Sequence, residues 1–521
     1  MSFAAADDRT PVLVGCGQIT RREPRLADDG GPLPLMAEAA RAAAADAGPA
    51  AALLQGLDAI VAIRLFSDTS PRFASPFGRV ADPPRWLAGQ LGASQVRRHV
   101  YTHPGGNMPQ WCINRLSEAV ARGEIGSALV CGAEALATHK AAERVGRMLR
   151  WGDDGPLPAA APAEAWGDAR RGWSEVEDRH GARAAIAMYP LFEAAIRHRR
   201  GRGMAQHQQA MGALLARFAA VAAANALADR RAGWDAAAIA TPAPDNPWIA
   251  HPYTRRMCAN AFIDQGAALI LTSVARAKAL GVPRERWVFL HGCADAHDHW
   301  HVSQRRDFHS SPAMAAVFAQ ALAMAGRRLD HMHLLDVYSC FASAVEVACE
   351  ALGLAEDDAR GLTVTGGLPY FGGPGNNYVT HAIAEMVQRL RAAPGAFGLV
   401  TANGNYLTKH SAGIYSTERP EQPFAPEDPA RLQARLDAEV AQPPFSALAQ
   451  GPCTVETATV LHGPGGAATA GLLFGRLDDG TRFIANTAPD ADLWAAMQAE
   501  DFIGRRGRVA NDGQRNRVEF G

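Results

Sequence analysis

Neither sign of charge dominates this chain. Its 52 lysines and arginines face 53 aspartates and glutamates, a formal net charge of −1, which argues against nucleic acid or an anionic membrane as the main partner. No apolar run reaches the ~20 residues that a membrane-spanning helix needs. The opening MSFAAADDRT is acidic and without the apolar stretch of a secretory leader. Eight cysteines, at 16, 112, 131, 258, 293, 340, 349 and 453, form no CxxC or Cys/His metal spacing. Sparse thiols in a large chain predict free cysteines and a cytoplasmic location. GGPGNN lacks the Gly-Lys-Ser/Thr ending of a phosphate loop and is not a GxGxxG fingerprint, so nucleotide readings are weak.

What is present is length, apolar content and an internal repeat. The 521 residues are 48% hydrophobic, enough for two or three cores. The order AEAARAAAADAG, LLQGLDAIVAI, GGNMPQWCINRLSEAVARG, SALVCGAEA recurs as AAVFAQALAMAG, RRLDHMHLLDVYSCF, GGPGNNYVTHAIAEMVQRL, GAFGLVTANGN. Each copy reads as an Ala-rich helix, a Leu-Asp pair entering an apolar strand, a Gly-Gly turn opening a second helix, and a strand ending in glycine. PVLVGCGQI and WVFLHGCAD open the two halves with the same apolar character and a Gly-Cys pair. A duplication of this size predicts two similar α/β halves whose matching turns meet at the junction.

The expected organisation is a first half over 1–282 with a helical insertion at 140–260, a second half over 283–420, a proline-rich linker at 421–450 and a β-rich domain at 451–521. In the last, Asp-Asp-Gly between two alternating runs signals a hairpin, and a small OB-type barrel is the expected fold. Basic clusters lie at Arg197, Arg199, Arg200 and Arg202 and at Arg305 with Arg306; solvated helix ends and attraction for a phosphate-bearing ligand both account for them. HGCADAHDHWH (291–301) alternates histidines, but no further ligand is suggested elsewhere, so a solvent-facing loop near the ligand entrance is expected and no metal.

With these motifs in place the chain resembles the thiolase superfamily, in its sterol-carrier-type and acetyl-CoA acetyltransferase-like branch, and most of all thiolase-like proteins of type 1 with an additional C-terminal domain. The likeness rests on the order of GGNMPQ, LVCGAEA, DQGAALILTSVARAKALG, SSPAM, LLDVYSCFASAV, GGLPYFGGPG and TANGNYLTKH. It implies a duplicated five-layered αβαβα fold, an acyl-CoA ligand, coenzyme A as co-substrate, no tightly bound cofactor, and a possible homodimer. In that family a helix-start cysteine takes the acyl group, a Gly-His-Pro histidine activates it, and a second cysteine moves a proton at the substrate α-carbon. A strand-end Asn or His helps hold the oxyanion.

Matched residue by residue, this chain departs from that pattern. The nucleophile position falls on Gly106, the Gly-His-Pro turn reads Gly372-Gly373-Pro374, Tyr338 stands at the strand-end position, and Asn403 replaces the second cysteine. A covalent acyl-enzyme at the usual cysteine is therefore not expected. The remaining candidates are His410 as general base, Tyr338 as acid or base, Cys340 as a displaced nucleophile and Asn403. A pocket of Gly106, Asn107, Gly373, Asn377, Gly404 and Asn405 would supply backbone donors, and Arg305 with Arg306 would meet CoA phosphates. The asparagines fit turn chemistry as well as ligand contact. An acyltransferase-class enzyme with a rearranged site is expected. The alternatives are a thiolase-like retro-aldolase, with the fused β-domain in place of a separate OB-type partner, and a non-catalytic acyl-CoA or lipid carrier.

Overall fold

The computed structural model describes residues 8–69, 74–152 and 162–521. The first seven residues of the MSFAAADDRT opening fall outside the described residues. Strands β1 (Pro11–Arg21), β2 (Ala59–Ala62), β3 (Arg98–Thr102), β4 (Ser127–Ala135), β5 (Glu164–Trp166), β6 (Trp248–Ala250), β7 (Tyr253–Thr254), β8 (Asp264–Ser273), β9 (Val288–His297), β10 (Leu334–Asp336), β11 (Phe397–Gly404) and β12 (Lys409–Ser416) precede the C-terminal domain.

The repeat read in the sequence recurs in the hydrogen bonding. In the first half the order β1-β8-β4-β2 is antiparallel, antiparallel, parallel; in the second, β9-β12-β11-β10 follows the same pattern. The two sets join where β1 pairs with β9. Helices Met108–Arg122 and Tyr378–Ala392 are buried between the sheets and touch strands of both, while the Ala-rich helices Pro32–Ala47 and Pro312–Met324 cover the outer faces. These are the five layers of the duplicated α/β fold.

The Gly-Cys pairs have a packing reason. A Cβ added at Gly15 would overlap the carbonyl oxygen of Ala43, and one at Gly292 that of Ala321. Each opening strand thus lets its outer helix approach to backbone contact, which only glycine opposite alanine permits.

The insertion is helical, chiefly Ala185–Arg199 and Met204–Ala224. The C-terminal strands β13 (Gly451–His462), β14 (Ala468–Leu477), β15 (Arg482–Thr487), β16 (Arg506–Asn511) and β17 (Asn516–Glu519) form a closed small barrel in the order β14-β15-β17-β16-β13, with β13 returning to β14. The Asp478-Asp479-Gly480 turn joins β14 to β15, with Gly480 at φ +87°. The barrel docks through Arg482, which is fully buried. Its guanidinium donates to the carbonyl oxygens of Ser303 (3.1 Å), Arg305 and Arg306 (3.2 Å), pairs with Glu456, and lies over the Phe308 ring.

Three sequence expectations change. The stretch read as a linker contains the helix Pro429–Glu439, capped by Asp428 and buried through Leu432 and Leu436. The histidine-rich segment read as a solvent-facing loop is mostly strand β9: His291 is buried, its Nε2 lies 2.9 Å from the Glu418 carbonyl oxygen, and burial pushes its pKa down to about 4. Residues 64–98, whose four prolines and weak periodicity predict mostly loop, carry the helix Pro83–Leu91, started by Asp82 and stopped by Gly92. No helix among the described residues is long and apolar enough to cross a membrane.

Candidate active site

The repeat brings its matching turns together. Gly106 and Asn107 precede the Met108–Arg122 helix, and Asn376 and Asn377 precede the Tyr378–Ala392 helix. Gly105 donates its N–H to Asn376 Oδ1 at 2.9 Å, and Asn376 Nδ2 donates to the Arg64 carbonyl. The end of β11 closes over Gly106: a Cβ built at Gly106 would lie 2.5 Å from the Asn403 carbonyl oxygen and would overlap the Tyr338 hydroxyl. Tyr338 therefore fills the space of the side chain that Gly106 lacks.

The Tyr338 backbone N–H donates to Thr401 Oγ1 and its ring packs edge-on against Tyr378, 5.6 Å between centroids. Its hydroxyl has no hydrogen-bond partner among the described residues. Burial pushes its pKa well above the phenol value, so it keeps its proton at neutral pH. The N–H groups of Gly106 and Asn405 likewise lack protein acceptors among the described residues, and that of Gly106 sits at the positive end of a 15-residue helix. Together these donors can stabilise an oxyanion or enolate.

The other expected groups are spent on structure. Cys340 Sγ lies 4.0 Å from Asn403 Nδ2, and burial pushes its thiol up to about 12, which leaves it no thiolate at neutral pH. Asn403 Nδ2 donates to the Tyr189 hydroxyl at 3.0 Å, while its Oδ1 is buried without a partner. Asn377 bridges the Gly132 carbonyl and Thr380 at a helix start. Gly373 holds its loop by donating to the Asn260 carbonyl at 2.8 Å.

His410 and Arg305 are corrections of role. His410 Nε2 lies 3.2 Å from Asp298, 3.1 Å from Ser311 Oγ and 3.0 Å from the Leu407 carbonyl. Arg305, 2% exposed, donates to Asp298, to the Leu407 carbonyl (2.6 Å) and to the Ser310 carbonyl, so it has no free face for a phosphate. Burial opposes the Asp298 charge, but Arg305, His410 and Ser311 together hold its carboxyl below the usual range. What this bracket holds is a strained turn: Asn405, Tyr406 and Leu407 all have φ between 50° and 62°, a left-handed run costing about 1–2 kcal/mol per residue. Arg306 is half exposed and binds Asp307 and Ser310. The other basic cluster is paired as well: Arg197 with Asp501, Arg199 with Glu350 and Arg200 with Glu346 and Glu356.

Strand alternation explains the difference at β12. His410 points toward Ser311 and the outer layer. Lys409 points the other way: its Nζ donates to the Pro104 carbonyl at 2.6 Å and lies 2.6 Å from where a Gly105 Cβ would be. Lys409 adjoins His410 in TANGNYLTKH but is not among the residues that the sequence marks as site candidates. Nor does the sequence mark a buried triad, Glu193, His207 and Glu346, whose ligand atoms lie within 4.8 Å of one another and whose charge is offset by Arg200.

Two expected outcomes follow from the packing. Gly106→Cys gives no thiolysis of 3-ketoacyl-CoA, because the new side chain displaces Tyr338 and position 373 offers no histidine. A thioester-absorbance assay with CoA reads this, and melting reads a stability loss of about 1–3 kcal/mol from overpacking. Glu134, buried beneath Gly375, accepts from Phe66 N–H at 2.6 Å, and burial raises its pKa to about 8. The folded state keeps a proton that the unfolded chain loses above about pH 4.3, so this group lowers stability as pH rises toward 8. Glu134→Gln keeps the Phe66 bond, and the variant's melting temperature gains on the parent's between pH 5 and pH 8.

Known proteins share this fold. A "thiolase C-terminal domain-like" family matches residues 294–373, and a "thiolase-like protein type 1 additional C-terminal domain" matches residues 431–514. The human mitochondrial 3-ketoacyl-CoA thiolase, solved in complex with CoA, aligns with a TM-score of 0.54 at 15% identity, over 79% of this chain and 99% of its own. A structure described as the Ltp2-ChsH2(DUF35) aldolase aligns at 0.57 and 19% identity, over 80% and 99%. The fold is thus that of the thiolases. A monomeric SCP2-thiolase-like protein type 1 from Mycobacterium smegmatis aligns at 0.83 with 35% identity, over 99% of this chain and all of its own. The chain belongs to this family, the type 1 SCP2-thiolase-like proteins. No curated protein matches it.

Proposed function

We propose that this protein cleaves, or in reverse forms, a carbon–carbon bond in a β-hydroxyacyl thioester of CoA by retro-aldol chemistry. The observation that carries the reading is the Tyr338 hydroxyl, without a hydrogen-bond partner among the described residues and lodged where a thiolase-type nucleophile would project from Gly106. With no side chain at 106 and an inert thiol at Cys340, acyl transfer through a covalent intermediate has no acceptor at either of these positions. A retro-aldol step needs none. It requires donors that hold a thioester enolate, for which the Gly106 and Asn405 N–H groups are suited, and an acid that delivers a proton to the enolate carbon, for which Tyr338 is suited.

CoA as the thioester handle is supported by the thiolase fold and by the CoA complex of the human thiolase; Arg306 is the exposed cation of the expected pair. The aldolase among the fold relatives carries a DUF35 partner in its name, and the fused barrel of this chain would supply such a module in cis. A homodimer remains part of the proposal only as an alternative to the monomer described for the Mycobacterium smegmatis relative. The test incubates the protein with a β-hydroxyacyl-CoA branched at the hydroxyl-bearing carbon, and separately with 3-ketoacyl-CoA plus CoA. Ketone release in the first with none of the thiolysis product in the second is the expected result. Thiolysis, or binding of both without turnover, counts against it.

A further inference from the structure

The retro-aldol reading leaves one role unfilled. A base must take the proton of the substrate hydroxyl. Tyr338 holds its own proton at neutral pH, and His410 is turned to the outer layer, bonded to Asp298, Ser311 and Leu407.

Lys409 is the amine on the site's side of β12. It is 6% exposed, and among the described residues no carboxylate lies within ion-pair distance of it. Its one hydrogen bond is to the Pro104 carbonyl. Nζ and the unpartnered, buried Asn107 Oδ1 both fill the space where a Gly105 side chain would project, each 2.6 Å from where a Cβ would sit. The Trp300 ring lies beneath the amine, 5.8 Å away. The charged and titratable groups around it are His103 after β3, Arg64 after β2, and the Asp168–Arg170 pair after β5, whose charges act on the amine in opposite directions. Burial is the largest influence and pushes the Lys409 pKa down to about 8.

The rest of the chain sharpens the contrast. Only Lys140, Lys278 and Lys409 among its 52 basic residues are lysine. Lys140 and Lys278 are more than half exposed and sit beside Glu143 and Asp8. Where a permanent cation suffices the chain uses arginine; at this site it has the one basic side chain that can give up its proton.

We propose that Lys409 is the proton acceptor of the site, its Nζ taking the β-hydroxyl proton of the substrate as the carbon–carbon bond opens. This rests on the retro-aldol reading. The O–H bond breaks and an N–H bond forms; the hydroxyl-bearing carbon becomes a ketone. The carbon–carbon electron pair passes to the thioester enolate, and the enolate carbon takes the Tyr338 proton. The Lys409 ammonium then returns a proton to the Tyr338 phenolate. One β-hydroxyacyl thioester gives one ketone and one shorter acyl thioester.

The test has two arms on the full chain. Trace labelling with acetic anhydride across pH 6–11, read at the three lysines by mass spectrometry, is expected to show Lys409 half-reactive near pH 8. Turnover of the branched β-hydroxyacyl-CoA is expected to rise about tenfold between pH 6.5 and 8 before levelling. Lys409→Met is expected to lose at least about 100-fold and the pH limb, and Lys409→Arg to restore neither. Lys409 titrating with the surface lysines, or a Met variant that keeps rate and limb, overturns the role and leaves the cleavage standing. A parent protein that cleaves no β-hydroxyacyl-CoA while Lys409 titrates near 8 overturns the retro-aldol reading, and the role with it. The labelling arm uses unaltered protein, so it decides even where a variant fails to fold.

Discussion

Tyr338→Phe lowers kcat for the branched β-hydroxyacyl-CoA by about 10²–10⁴-fold, the range expected when a positioned acid is removed, and changes KM little. The ring survives the substitution, and with it the edge-on contact to Tyr378 and the backbone bond to Thr401 Oγ1. Because the hydroxyl has no hydrogen-bond partner among the described residues, its removal orphans none of them, and the folded stability stays within about 1 kcal/mol of the parent. Steady-state kinetics beside a thermal melt separate the two effects. A variant that retains more than a tenth of the parent kcat removes Tyr338 from the mechanism.

Arg482→Ala costs about 3–5 kcal/mol, the usual range when one partner of a buried ion pair is deleted. Three carbonyl oxygens lose their donor and Glu456 keeps only Arg476. Lysine does not rescue, since one ammonium cannot reproduce a fork that spans three carbonyls and a carboxylate. The loss reaches the site through a short physical path. Arg482 holds the Arg305 carbonyl, the Arg305 side chain holds the Leu407 carbonyl, and Leu407 ends the left-handed run beside Gly404. The expected signature is a lower melting temperature, faster proteolysis in the exposed stretch before Pro429, and weaker turnover. A variant that melts with the parent shows that the barrel is held by other contacts.

The duplication made much of the fold legible. Two copies of one pattern impose the same strand order, and a repeated Gly-Gly helix start must come to the interface. Gly106, Tyr338 and Asn403 were placed instead by resemblance, each at a position that the thiolase motifs mark. The polar groups around them were harder to place because the decisive variable was strand phase: a step of one residue, from His410 to Lys409, moves a side chain from the outer layer to the site. Arg305 shows a second limit. A basic residue in a loop looks the same in sequence whether it faces solvent or is enclosed by Asp298 and two carbonyls. The helix at Pro429–Glu439 was obscured differently: its Asp-Pro start is a good opening signal, outweighed in the reading by the prolines on either side.

Under the proposed function, the scarcity of lysine has a consequence for a protein exposed to activated thioesters. Exposed primary amines are slowly acylated by such compounds, whereas guanidinium groups stay protonated and unreactive. A surface whose cations are almost all arginine resists that damage, and side-chain amine crosslinking or conjugation has three possible targets, one of them enclosed.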